Sequence, residues 1–269
     1  MAHPLDGCRA KIQRAEESLK NLDQEVNVFY NRAPLPYQIV TQHQNCGLEY
    51  VFVAFGEPEA PVRFSVIAGE IVHHLRSSLD HLIHALIVQN GNTPTRKNQF
   101  PICTSKELFE KECKNGRING VSLVSKNLIL AVQPYTSVTP VDTVLHVVQE
   151  YDNIDKHRLL VVVTSVVELG KNIHIGTDEM IPDAIVKKGQ GPVIVGLGDP
   201  LPKKLSKEGV EVFKILLAKP APEFVASAEF VAQIAFEDCG RAKLAPVIRT
   251  LAAMIAGTKH TIETFSCEF

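Results

Sequence analysis

Apolar residues recur at helical spacing in four long stretches of the chain. Between about 6 and 31, Ile12, Leu19, Leu22, Val26 and Phe29 alternate with Lys, Glu and Gln, and Pro34 and Pro36 end the run. From about 61 to 90 only Pro61 and Gly69 interrupt a helical pattern, with Pro61 at its start and Gly91-Asn92-Thr93-Pro94 as the breaker. Within that stretch Ala68, Val72, Leu75, Leu79, Leu82, Ile83 and Leu86 gather on an arc of roughly 100°, the stripe a bundle helix buries. A third helix is predicted over 140–157, with Val144, Val147, Val148 and Tyr151 to bury, and a fourth over 244–265 on Leu244, Ile248, Leu251, Ile255 and Ile262. Shorter helical pieces are expected at 105–113, capped by Ser105, and at 122–132, ending before Pro134; Gln99 to Ile102 reads as extended.

Elsewhere the period is two. Runs at 37–42 and 48–55, separated by the turn-rich Gln44-Asn45-Cys46-Gly47, predict a hairpin with Leu48, Tyr50, Phe52 and Ala54 on one face. After Arg158 the composition turns β-branched in LLVVVTSVVEL, with Lys171 to Thr177 as its expected partner. Gly189 to Lys204 reads as a loop with a short strand at Val193 to Val195, and strands follow at 210–217 and 223–236. In the last, Phe224, Ala226, Ala228, Phe230, Ala232, Ile234 and Phe236 share a face. Together these elements predict a single α+β domain over 1–269. A helical core at about 61–157 is joined by the helix at 244–265, and a mostly antiparallel sheet from 158–237 plus the hairpin 37–55 packs on one side.

Composition changes this picture little. A formal charge of −2 and 45% hydrophobic residues describe an ordinary globular chain without a global basic field, so any nucleic acid would be held by a local patch. The six cysteines form no C-x-x-C pair and are read as reduced thiols, which, with no apolar run of spanning length, leads us to expect a cytoplasmic protein away from membranes.

The polar side of the 61–90 helix carries the candidate chemistry. Four of the ten histidines lie there; measured from His81, Glu70, His74, Ser77, Ser78 and His84 fall within about 60°, and His73, Arg76 and Asp80 border the strip. On the 140–157 helix His146, Glu150 and Asn153 lie within roughly 40° of His157, which suggests that the two strips face each other or a twin subunit.

Arg76-Ser77-Ser78-Leu79-Asp80-His81 resembles the R-x4-6-H motif of the HEPN superfamily of helical bundles, and LRSSLDH with DNIDKHR is also similar to segments of an uncharacterised bacterial family. The HEPN resemblance implies metal-independent RNA cleavage or nucleotide binding in a homodimer without a cofactor, with Arg76 on phosphate, His81 moving protons, and Asp80, Asp152, Asn153, Lys156 and His157 in support.

Other readings of the same residues stay open. Arg76 can pair with Asp80 four residues on, and His81 can be a core imidazole bonded to Asp152 or Asn153, which would make the chain a helical interaction protein built on buried polar networks. Glu70, His74 and His81 with His146, Glu150 and His157 are also a donor set for a metal between helices, although Glu-x3-His departs from the Glu-x-x-His of di-metal bundles.

Overall fold

The structure is a computed structural model that describes residues 3–177, 194–197, 203–220, 224–237, 239 and 244–269, by backbone alone for 166–177, 194–197 and 224–231. In chain order the elements are α1 (Asp6–Tyr30), β1 (Gln38–Gln44), β2 (Glu49–Phe55), α2 (Val62–Gln89), α3 (Lys106–Lys114), α4 (Leu123–Ala131), α5 (Val144–His157), β3 (Val162–Thr177), β4 (Ile194–Leu197), β5 (Lys203–Lys204), β6 (Val210–Leu217), β7 (Phe224–Phe236) and α6 (Val247–Glu263). The fold is α+β, and the chain divides into two compact units. One comprises Met1–Gln24, Pro61–Val161 and Asp238–Phe269, the other Glu25–Ala60 and Val162–Glu237.

In the first unit α2 is the hub, packed against α5 and α6, which also pack on each other. Every residue of the predicted apolar arc is buried, and burial extends beyond it to Ile67, Ile71, Arg76, Ser78 and Ile87, because α2 has neighbours on several sides. Two glycines let α5 come close. A side chain at Gly69 of α2 would collide with the Asp155 carboxylate, and a Cβ at Gly257 of α6 would lie 2.6 Å from Val144 Cγ1. The two short helices start where Ser105 and Ser122 cap them, each hydroxyl accepting from the backbone N–H three residues on (Leu108 and Ser125). The third predicted helix begins later than its Pro140: a 3-10 turn spans Pro140–Asp142, Thr143 is extended, and the α-helix starts at Val144. The last one begins after Pro246, which occupies the N-cap, rather than at Leu244.

Where one sheet was expected, the second unit holds two, each antiparallel in its recorded pairings. The first has the order β1-β2-β6-β4, with Gln38 opposite Phe55 and Gln44 opposite Glu49 in the predicted hairpin. Tyr50, Phe52 and Ala54 of β2 share a core with Leu205, Val212, Phe213, Ile215 and Leu217, as the alternation predicts. In the second sheet β3 lies between β5 and β7. Here the expected partnership between 158–169 and 171–177 is overturned, because both belong to one strand whose ladder runs from Val162 opposite Phe236 to Thr177 opposite Phe224. Register shifts at Val166/Leu169 and Leu169/Ile173 absorb the irregularity that reads as a turn in the sequence. The predicted face of β7 lies largely on backbone-only residues, and most of the Gly189 to Lys204 loop lies outside the described residues.

Candidate functional site

Arg76 and Asp80, one turn apart on α2, grip the backbone of Phe100. Arg76 Nη2 donates to the Phe100 carbonyl at 3.0 Å, and Asp80 Oδ1 accepts from the Phe100 N–H at 2.9 Å. The same carboxylate oxygen lies 2.9 Å from Arg76 Nη1, so the predicted i,i+4 ion pair is present. That contact lacks hydrogen-bond alignment, and the buried Nη1 has no hydrogen-bond partner among the described residues. Arg76 is only 7% exposed, so its charge is held at a depth where an unmet donor is costly.

The strand-like segment that Arg76 holds is fixed by side-chain amides, which explains why it is extended without belonging to a sheet. Asn98, buried, accepts from the Thr95 N–H and donates to the carbonyls of Gly116 and Asn119. Gln133, also buried, donates to the Pro101 carbonyl and accepts from the Cys103 N–H. Each amide thus replaces backbone partners that a sheet would otherwise supply.

A pocket of about 390 Å³ opens beside this segment, lined by Arg76, residues 99–102, Glu112 and Arg117, and by Gln149, Asn153 and Lys156 of α5. Arg117 is aimed by two partners: Nε donates to Glu112 Oε2 at 2.8 Å and Nη1 to Gln99 Oε1 at 2.5 Å. Gln149 Nε2 donates to Asn153 Oδ1 at 3.0 Å. The lining holds three cations against one carboxylate, and its remaining polar groups are amides. Of the residues singled out in the sequence, Arg76, Asn153 and Lys156 meet here. Gln99, Glu112, Arg117 and Gln149 were not foreseen: Gln99 and Arg117 come in on irregular chain after α2 and after α3, while Glu112 on α3 and Gln149 on α5 carry no mark that separates them from any other polar helix residue.

Asp152 lies next to this pocket and is 1% exposed, its carboxylate 2.5 Å from Lys156 Nζ and 3.6 Å from His73 Nδ1. Neighbouring Asp155 sits over Gly69, and burial, reinforced by Asp152, pushes its pKa above the ordinary carboxylate value. His157 is exposed at the last turn of α5.

His81 is elsewhere. It is exposed and lines, with His84, a second pocket of about 430 Å³ formed with Pro4, Gly7 and Cys8 from the start of the chain and Ala85, Val88, Gln89 and Pro94. A Cβ on Gly7 would stand 3.3 Å from His81 Nδ1, so α1 passes directly over this imidazole. Partial burial and the Lys11 ammonium of α1 lower the pKa of both His81 and His74, and the buried Nδ1 of His74 has no hydrogen-bond partner among the described residues. Burial raises the Cys8 thiol to about 11, which makes it a poor nucleophile.

These placements correct one of the two expected arrangements, the meeting of the histidine strips within one chain. The α2 face that carries His74 and His81 turns to α1, and α5 takes the border roughly 100° further round, where Gly69, His73, Arg76 and Asp80 lie. Of the α2 histidines, His73 lies 3.6 Å from the Asp152 carboxylate of α5, and among the described residues neither Asp152 nor Asn153 bonds His81. The physical reason is the glycine at 69: it offers α5 the closest approach, and that approach excludes the histidine face. Among the described residues no group of three or more His, Cys, Asp or Glu side chains is arranged to hold a metal ion, so Glu70, His74, His81, His146, Glu150 and His157 form no ligand set.

No family model matches the chain, and neither the curated proteins nor the solved structures contain a significant match to it.

Proposed function

We propose that this protein binds a phosphate-bearing ligand, a nucleotide or RNA, in the pocket around Arg76, as a HEPN-like module would. The observation that carries the reading is the buried guanidinium of Arg76, its Nη1 without a hydrogen-bond acceptor, at a pocket that also presents Arg117 and Lys156. Guanidinium donors in a fixed plane match phosphate oxygens, and ammonium adds point charge. The three cations are already partnered by Asp80, Glu112 and Asp152, which keeps them aimed and lowers the cost of the empty state. Because the whole chain carries a net charge of −2, this local cluster has to supply the attraction.

Calorimetric titration with inorganic phosphate, nucleoside monophosphates and a short single-stranded RNA tests the reading. Saturable binding that falls about tenfold or more in the Arg117→Ala/Lys156→Ala protein is expected, since each charged hydrogen bond contributes ~1.5–3 kcal/mol. Absence of saturable binding by every one of these ligands overturns it.

Cleavage is the stronger form of the same proposal. Within one chain His81 and Arg76 open into different pockets, so His81 acts on a phosphate held by Arg76 only as the imidazole of a second copy. That form predicts degradation of single-stranded RNA in EDTA by the wild type and none by His81→Ala.

A second reading has its own observation. The Arg76, Asp80 and Phe100 bracket already engages both polar groups of one peptide, which suits a non-enzymatic helical interaction protein. It predicts no phosphate binding and no cleavage, with only stability lost on substitution of Asp80.

A further inference from the structure

We infer that the Arg76 pocket recognises the sugar–phosphate portion of its ligand and is indifferent to the base; this rests on the phosphate-binding reading above. Proteins that read a nucleobase in single-stranded or mononucleotide form commonly stack it on an exposed aromatic or guanidinium plane and bond its edge. Among the described residues the aromatic ring in this lining is that of Phe100, 1% exposed and packed edge-on against Phe265 at 6.5 Å, so its ring belongs to the core while its peptide belongs to the clamp. Arg76 is buried and presents no open guanidinium face, and Arg117, held along its edge by Glu112 and Gln99, is half-buried.

What the pocket does offer is donors. The bond from Gln149 Nε2 to Asn153 Oδ1 leaves the Asn153 amide N–H groups without a partner among the described residues, and the Gln99 amide N–H groups are in the same position while its oxygen serves Arg117. Gln149 Oε1 is an acceptor suited to a hydroxyl. Phosphate and ribose oxygens are met by such a set, and a base is not required. A volume of about 390 Å³ is also near the small end of the ~300–1,000 Å³ typical of ligand pockets, enough for a phosphorylated sugar with the base directed outward.

The experiment titrates the full chain with inorganic phosphate, ribose 5-phosphate and the four ribonucleoside monophosphates, and repeats the series on Gln149→Ala/Asn153→Ala, two surface positions of α5. Ribose 5-phosphate and all four nucleotides are expected to bind within about threefold of one another and about tenfold more tightly than inorganic phosphate, as one or two neutral hydrogen bonds allow. The double variant is expected to lose that tenfold preference for the sugar phosphate over inorganic phosphate. One nucleotide exceeding ribose 5-phosphate by about tenfold, the discrimination a base contact gives, overturns the inference, as does a sugar preference that survives in the double variant. Inorganic phosphate binding with no gain from the sugar overturns the inference and leaves the phosphate site standing. If nothing in the series binds, the phosphate-binding reading fails and this inference with it.

Discussion

Asp80 and Arg76 share the peptide of Phe100: the carboxylate takes its N–H at 2.9 Å and the guanidinium takes its carbonyl at 3.0 Å. Two side chains one helical turn apart thereby act as a strand edge for a segment outside any sheet. Removing Asp80 leaves a guanidinium that is 7% exposed without its counter-charge, together with an unbonded N–H. Because Asp80 itself is partly exposed, Asp80→Ala is expected to cost about 2–3 kcal/mol, below the ~3–5 kcal/mol of a fully buried pair. Urea denaturation measures it; a loss under about 0.5 kcal/mol, the size of an ordinary surface change, would remove the clamp from the account.

Gly69 is where α5 meets α2. A methyl group there collides with the Asp155 carboxylate, so Gly69→Ala is expected to destabilise by about 1–3 kcal/mol despite the better helix propensity of alanine. Asp155→Ala in the same chain should recover part of that loss, and a double-mutant cycle by chemical denaturation reads the coupling.

The depressed pKa values of His74 and His81 make stability fall in mildly acid solution. Both imidazoles bind protons more weakly when folded, so their contribution is intact above the unfolded value of 6.5 and is lost as pH drops below it towards the folded values. Asp155 has the opposite sign: its raised pKa means the folded chain takes up a proton first, which favours folding as pH falls towards 3.8. His74→Gln/His81→Gln should flatten the decline below pH 6.5, followed by melting temperature against pH; an unchanged slope would place those imidazoles in ordinary solvent.

The caps of the short helices α3 and α4 are each a single serine. Ser105→Ala and Ser122→Ala are expected to cost about 1 kcal/mol apiece. Ser122 should cost more, because its hydroxyl also donates to Glu268 at 3.0 Å and lies beside Ser125, which makes a second bond to the same carboxylate. Equilibrium denaturation of the two variants side by side gives the order.

Helices, strands and caps were legible in the sequence because they follow from interactions a few residues long. The apolar arc of α2, the serines at 105 and 122, the prolines bounding α1 and α2, and the alternation of β2 all appear in the structure as elements near the expected positions. The Arg76–Asp80 pair was legible for the same reason, being one turn apart on one helix. Which faces meet was decided by tertiary structure alone. Periodicity places His81, His74 and Arg76 around the axis of α2 but carries no record of what lies opposite, and it was a bare glycine at 69 that drew α5 to the Arg76 side and left the histidines to α1. The pocket around Arg76 was invisible beforehand because Gln99 and Arg117 reach it through irregular chain, whose course is set by the buried amides of Asn98 and Gln133 and by no repeating pattern, and because helical spacing does not say that Glu112 of α3 faces them.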